Sequence, residues 1–236
     1  MLVNTRHRTD NPEMMDDFAL EGDALKQALD KIAQINQLLG GNRLTLRGVA
    51  KLLKKEPNSS PLTIVDVGCG NGDMLRKLAD FGFRNNLNLE LIGVDANAFT
   101  VNYAIELSRN YPNIKYRCED IFGQSFNELK FDIGLCTLTL HHFKNNEIIE
   151  LLRLFDKNAK LGFVVNDLHR NSVAYRLFQG LCFVFRMNEM SRKDGLTSIL
   201  KGFKKEELIA FSENLRFRKY SVQWKWAFRY QWIVEK

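Results

Sequence analysis

The spacing of apolar positions changes twice along the chain. Between residues 13 and 39, Leu25, Leu29, Ile32, Ala33, Ile35 and Leu39 recur at helical spacing, and Gly40-Gly41 is where such a helix stops. A second short helix is predicted over 46–55, ending before Pro57, and 57–61 (PNSSP) reads as a turn-rich joint. Past the joint, short β-branched apolar runs at 62–67, 89–94, 114–118, 131–135 and 161–165 alternate with helical segments at 72–83, 98–109 and 145–156. That alternation predicts parallel βαβ units with helices over both faces of a sheet. The central runs are apolar throughout, as strands buried on both faces are. The pattern then breaks. A helix over 204–214 is followed by FRKYSVQWKW and FRYQWIVEK with Ala227 between them, and strands that close in sequence pair antiparallel.

Two segments fit neither period. Residues 172–187 are apolar nearly all round: Val173, Ala174, Leu177, Phe178, Leu181, Val184 and Phe185 form a wide stripe, with Phe183 opposite. A lid over a greasy acceptor, a subunit or membrane contact, and plain core all account for it. Residues 191–202 (SRKDGLTSILKG) are polar and hold Gly195 and Gly202, which reads as a mobile gate carrying Arg192, Asp194 and Ser198.

Composition narrows the class. The chain has 236 residues, 45% apolar and 26% charged, which excludes a disordered or low-complexity protein. No apolar run reaches the about 18 residues of a membrane helix. The first residues, MLVNTRHRTD, lack a signal-peptide core, so a cytoplasmic address is expected. Cys69, Cys118, Cys136 and Cys182 show no short metal spacing, so free thiols and no metal site are expected. The net charge is +6, but 169–236 holds 14 Lys and Arg against 6 Asp and Glu. A basic C-terminal third faces solvent, nucleic acid, an anionic membrane or an acidic carrier protein.

The candidate chemistry starts at Val65-Asp66-Val67-Gly68-Cys69-Gly70-Asn71-Gly72-Asp73, between a predicted strand and a predicted helix. Alternate glycines there let a ligand approach the main chain closely, the alternative being a tight turn that holds nothing. A dinucleotide turn would carry a third glycine where Asp73 stands, and a carboxylate at that helix start competes with phosphate for the same amides. Asp66 adds a second negative charge. The turn therefore suits a cationic ligand without phosphate, such as S-adenosylmethionine, over NAD. Asp95, ending the next strand, can accept ribose hydroxyls, and Asp120, ending the one after, can accept the adenine amine or cap a helix.

With DVGCGNG, GVDAN, CEDIF and FDIGLCTLTLHHF in this order, the chain resembles the class I S-adenosylmethionine-dependent methyltransferases, in particular those of ubiquinone and menaquinone biosynthesis and other small-molecule enzymes. The resemblance covers roughly 62–168 and the terminal hairpin. It implies an α/β, Rossmann-like doubly wound seven-stranded sheet with an antiparallel last strand, in a single domain. Within that domain, 1–56 would be a helical cap, 57–168 the donor-binding core, 169–203 a lid, and 204–236 the last helix and hairpin. It implies donor contacts at Asp66, Gly68, Gly70, Asp95, Ala96, Asp120, Ile121 and the Cys136/Thr137 strand end, to which the glycine turn adds Gly72. No NPPY-like tetrapeptide follows the fourth strand, which argues against methylation of nucleobase amines.

Ligands of such sheets sit beyond the C-terminal strand ends. His141-His142-Phe143 and Asn166-Asp167-Leu168-His169-Arg170 project there. Methyl transfer from an activated donor needs alignment and desolvation, and a hydroxyl acceptor also gains from a general base. His169 is the first candidate and His142 the second, with a structural role as the alternative for His169 and helix capping or core packing as the alternative for His141. Arg170 would hold an acceptor carboxylate or phosphate, or pair with Asp167; Phe178 and Arg192 would line the acceptor site. The expected enzyme methylates a hydroxyl, or a carbon, of a hydrophobic aromatic or polyketide-like small molecule. An RNA-directed methyltransferase using the basic C-terminal third is the alternative.

Overall fold

A computed structural model describes residues 3–54 and 61–236. Among these, β1 (Leu62–Val67), β2 (Leu89–Asp95), β3 (Ile114–Cys118), β4 (Phe131–Thr137), β5 (Ala159–Leu168), β6 (Lys219–Lys225) and β7 (Arg229–Glu235) form one sheet in the order β3-β2-β1-β4-β5-β7-β6. The first five strands are parallel; β7 runs antiparallel to both β5 and β6. Helices α3 (Asp73–Arg84), α4 (Ala98–Leu107), α5 (Gln124–Glu128), α6 (Asn145–Asn158) and α9 (Lys205–Asn214) link the strands, with α1 (Asp23–Leu38) and α2 (Gly41–Leu53) before β1, and α7 (Ser172–Val184) and α8 (Glu189–Lys201) after β5.

The central strands are buried from both sides, Ile64 and Val65 alike being fully inaccessible, whereas the edge strand β3 has no buried residue. One core lies under α2 and α3, where Val49, Leu52, Leu75 and Leu78 meet Ile64, Leu91 and Val164. The other lies under α6 and α9, where Ile148, Leu152, Phe155 and Leu208 meet Val65, Phe163 and Trp232. Burial of this size is the main stabilising term.

The helix predicted over 13–39 begins only at Asp23, after Gly22 at φ +94°. Residues 13–22 form a strap with one 3-10 turn at Met14–Asp16. Tertiary partners take the backbone groups a helix would use: Asp194 accepts from the Met14 and Met15 amides at 2.9 and 3.0 Å, and Asn97 Nδ2 donates to the Phe18 and Leu20 carbonyls. α2 begins at Gly41, five residues before the predicted start. The joint at 57–61 falls, apart from Pro61, outside the described residues.

The expected gate at 191–202 is helix instead, α8, capped by the Asn188 side chain, which accepts from the Ser191 amide at 2.8 Å. Its polar residues face the polar strap, so it shows no apolar stripe. α7 buries Ala174 and Cys182 but exposes Val173, Leu177, Phe183 and Val184, so the reading of 172–187 as core fails for that face. Together the strap, α1 and α8 stand over the C-terminal strand ends.

Candidate active site

The three glycines of the turn share a left-handed backbone but differ in what surrounds them. Gly68, Gly70 and Gly72 all have positive φ, at +67°, +53° and +75°. A Cβ on Gly68 would strike the Thr139 side chain at 2.2 Å, and one on Gly72 would strike the Tyr116 hydroxyl at 2.0 Å. A Cβ on Gly70 would meet only Leu29 Cδ2, at 3.6 Å. Gly70 alone borders open space, the shape of a ligand cradle. Gly72, like Gly68, is also required by packing, since it admits Tyr116.

Asp66 is buried, and its Oδ1 has no hydrogen-bond partner. Burial, then the Asp95 charge, pushes its carboxyl up to about 8. A buried carboxylate without a donor is costly, and a cationic N–H group of a ligand removes that cost. Asp95 accepts from the Gly70 amide at 3.1 Å and the Asn97 amide at 3.0 Å, which joins the end of β2 to the cradle. Burial raises its carboxyl too, the backbone bonds opposing. Ala96 is half-buried beside it, Asp120 is exposed at the end of β3 and accepts from the Phe122 amide at 2.9 Å, and Ile121 is buried. Thr137 Oγ1 lies 3.2 Å from Thr45 Oγ1 of α2. The cradle, the unpartnered Asp66 and the aligned acids fit S-adenosylmethionine, which carries a sulfonium, an ammonium and a ribose.

The two histidines after β4 stack with ring centroids 4.3 Å apart, and each is held by a carboxylate from elsewhere in the chain. His141 is buried, with Nδ1 2.7 Å from Asp167 Oδ1 and Nε2 without a hydrogen bond, 3.9 Å from Glu13 Oε1. His142 Nδ1 lies 2.6 Å from Asp16 Oδ1 of the strap. Burial pulls the His142 pKa down, but the Asp16 bond and the Glu13 and Asp16 charges outweigh it, and the net shift is upward. Burial opposes ionisation of Asp16, yet its bonds to His142 and the Glu13 amide hold its carboxyl far below the usual range. Lys201 Nζ on α8 completes the cluster, 2.9 Å from Asp16 Oδ2 and 3.3 Å from Glu13 Oε1. Ser198 donates to Glu13 Oε2 at 2.5 Å. Glu13, His141 and His142 bring potential metal-ligand atoms within 4.8 Å of one another, a grouping of residues up to 129 positions apart that cysteine spacing could not reveal. The Lys201 ammonium already supplies positive charge there.

His169, the first candidate base, is placed differently. Its Nδ1 accepts from Trp224 Nε1 at 3.2 Å, and its ring packs edge-on to Tyr230 at 5.0 Å and stacks on Phe228 at 6.4 Å. Burial, then Lys204 and Arg170, lowers its pKa. A neutral ring with Nδ1 as acceptor carries its hydrogen on Nε2 and has no free lone pair to take a proton. In the structure the His169 ring is thus tied to the β6–β7 hairpin rather than to the histidine–carboxylate cluster.

Arg170 is placed differently too. It is fully buried, donates to the Thr5, Arg6 and Gly202 carbonyls, and pairs with both Glu207 oxygens at 2.7 and 3.0 Å. It ties the N-terminal segment to α9 and has no donor left over for an acceptor. Phe178 sits in the α7–α8 seam, where a Cβ on Gly195 would strike its ring at 2.4 Å; Arg192 is exposed on α8. Glu13, Asp16 and Lys201 were not singled out by the sequence, because a strap of mixed polarity gives no periodic signal.

Residues 64–162 match the family model described as a methyltransferase domain. A carboxy-S-adenosyl-L-methionine synthase of Helicobacter pylori is 21% identical over 189 residues, which cover 76% of this chain and 77% of that one. O-methyltransferase 2 of Dictyostelium discoideum is 25% identical over 68% of this chain and 46% of its own length. Among solved structures, the plantazolicin methyltransferase BpumL in complex with SAH superposes with a TM-score of 0.66 at 15% identity, covering 89% of this chain and 90% of that one. The DszA carbon methyltransferase gives 0.66 at 17% identity, over 88% of this chain and 57% of its own.

Proposed function

We propose that this chain, which belongs to the class I S-adenosylmethionine-dependent methyltransferases and is an enzyme of that donor, methylates a hydroxyl of a hydrophobic small molecule and uses His142 to take the acceptor's proton. The bound donor supplies a methyl group activated by a sulfonium centre. The observation that carries the proposal is the His142–Asp16 contact at 2.6 Å. Asp16 accepts from Nδ1–H, which leaves the Nε2 lone pair of neutral His142 as the proton acceptor. When Nε2 takes the proton, Asp16 and Glu13 stabilise the imidazolium. The acceptor oxygen, freed of its hydrogen, then receives the methyl group. Asp66, Gly70 and Asp95 hold the donor, and the strap excludes water.

A carbon acceptor uses the same base, since an acidic C–H between carbonyls loses its proton to the same lone pair. The proteins it is similar to include both an O-methyltransferase and carbon methyltransferases. RNA as substrate is less well supported than the sequence allowed: Arg170, Lys201 and Arg229 of the basic C-terminal third are buried, so their charge does not face a phosphate backbone.

The test is transfer of labelled methyl groups from S-adenosylmethionine to a panel of lipophilic phenols and 1,3-dicarbonyl compounds, with bulk tRNA in parallel. Transfer to a phenol supports the hydroxyl reading and transfer to a dicarbonyl supports the carbon one. Labelling of tRNA alone overturns both.

A further inference from the structure

Arg229 opens β7 opposite Leu168, on the sheet face that α2 covers. Its neighbour on that face, Gln231, is tied down, Nε2 donating to the Leu44 carbonyl at 2.6 Å. Arg229 is not tied down. It is 3% exposed, yet its Nε and Nη1 have no hydrogen-bond partner. Asp167 is the acid it feels, but that carboxylate is bonded to His141 and to the His141 and Leu168 amides. Burial dominates and pulls the guanidinium down to about 10. A buried charge left in this state is costly unless something supplies the missing acceptor.

The point where a Cβ on Gly41 would stand lies 3.0 Å from Arg229 Cζ and 1.9 Å from Asn36 Oδ1. The guanidinium therefore abuts the N-terminus of α2, a 13-residue helix whose cap position is Gly40 and which has no side-chain cap. Uncapped first-turn amides and a helix dipole favour an anion. Two acceptors nearby are also unsatisfied, Asn36 Oδ1 and Asn166 Oδ1, although the amide nitrogens of both residues are used: Asn36 Nδ2 donates to Asn42 Oδ1, and Asn166 Nδ2 to the Gly41 carbonyl and Thr45. Asn42 Nδ2 in turn donates to Asp73 Oδ2 at 2.5 Å, directly after the glycine turn. The nest is thus continuous with the donor cradle.

We propose that Arg229 and the uncapped N-terminus of α2 form a carboxylate-binding subsite contiguous with the donor cradle, with Asn36 and Asn166 accepting from an N–H or O–H beside that carboxylate. The α-amino-acid end of the donor has this chemistry, and so does an acceptor bearing a carboxylate. The subsite rests on the assignment of the donor and is independent of the role given to His142.

Calorimetry with S-adenosylhomocysteine, with 5′-methylthioadenosine (which lacks the carboxylate), and with benzoate added to the S-adenosylhomocysteine complex separates the sources. If the donor supplies the carboxylate, Arg229→Met weakens S-adenosylhomocysteine binding by about tenfold or more and leaves 5′-methylthioadenosine unchanged. If the acceptor supplies it, S-adenosylhomocysteine binding is unchanged, and benzoate binds the wild-type complex but not the Arg229→Met complex. In both cases the ligand-free variant melts no lower than wild type, because it has lost an unpartnered buried charge and no bond. Arg229→Lys, keeping the charge without the planar fork, is intermediate in affinity. The proposal is overturned if Arg229→Met binds all three ligands as wild type does. It is equally overturned if the ligand-free variant unfolds or melts well below wild type, since Arg229 would then be an internal structural partner.

Discussion

Asp16 Oδ1 stands 2.6 Å from His142 Nδ1, across 126 residues of sequence, and this contact brings the N-terminal strap to the strand end where the donor acids converge. It fixes which nitrogen of His142 is free. His142→Ala is expected to lower turnover by about 10²–10⁴-fold, the range for a lost general base, with S-adenosylhomocysteine affinity near wild type by calorimetry. His169→Ala is expected to keep near-wild-type turnover, since its ring serves the β6–β7 hairpin.

The glycine turn separates cradle from packing. Gly70→Val is expected to abolish binding of S-adenosylhomocysteine while the folded circular dichroism spectrum is retained, because the Cβ intrudes where only Leu29 stands within 4 Å. Gly72→Val is expected to lower the melting temperature instead, by displacing Tyr116.

Much of the sheet was legible because its signals are local. The strand–helix alternation, the glycine turn and the terminal hairpin each occupy a few consecutive residues, and the structure reproduces them with boundaries moved by a few positions. Residues 13–22 differ from the predicted helix, whose periodic positions all lie from Leu25 onward. Their backbone partners, Asp194 and Asn97, lie about 80–180 residues away, and no window of sequence shows them. α8 shows no apolar periodicity for the complementary reason: its polar residues Ser191, Asp194 and Lys201 are buried, Asp194 and Lys201 against that strap. Arg170 and Arg229 show the general difficulty. A charged residue is expected at the surface, and only tertiary structure reveals that one is paired internally with Glu207 and the other is unpartnered.

Donor binding is expected to release protons. The buried Asp66 carboxyl holds its proton up to about pH 8 in the ligand-free protein, whereas an unfolded aspartate loses it near 4. Its contribution to stability is therefore present in acid and lost as pH rises through that window. A cationic ligand beside it favours the carboxylate. Calorimetry of S-adenosylmethionine binding at pH 7, in buffers of different ionisation enthalpy, is expected to show net proton release in the wild type and less of it in Asp66→Asn.

The Arg170–Glu207 pair is expected to matter for stability alone. Arg170→Met removes both partners' hydrogen bonds and leaves two N-terminal carbonyls and Gly202 unsatisfied, at a cost of about 3–5 kcal/mol by chemical denaturation. If the variant folds, its acceptor KM should match wild type; a raised KM would restore Arg170 to the acceptor site.

The pH dependence of kcat/KM for methyl transfer, measured side by side in wild type, Asp16→Asn and His142→Ala, tests the central claim most directly. His142 acts as base only when neutral, and Asp16 and Glu13 raise its pKa above the ordinary histidine value. Wild-type activity is therefore expected to fall as pH drops, with its midpoint above about 6.5. Asp16→Asn is expected to move that midpoint to lower pH, and His142→Ala to abolish the inflection and nearly all the activity. A His142→Ala enzyme with full activity at pH 7 and an unchanged profile would contradict the account and leave alignment of donor and acceptor as the whole of the catalysis.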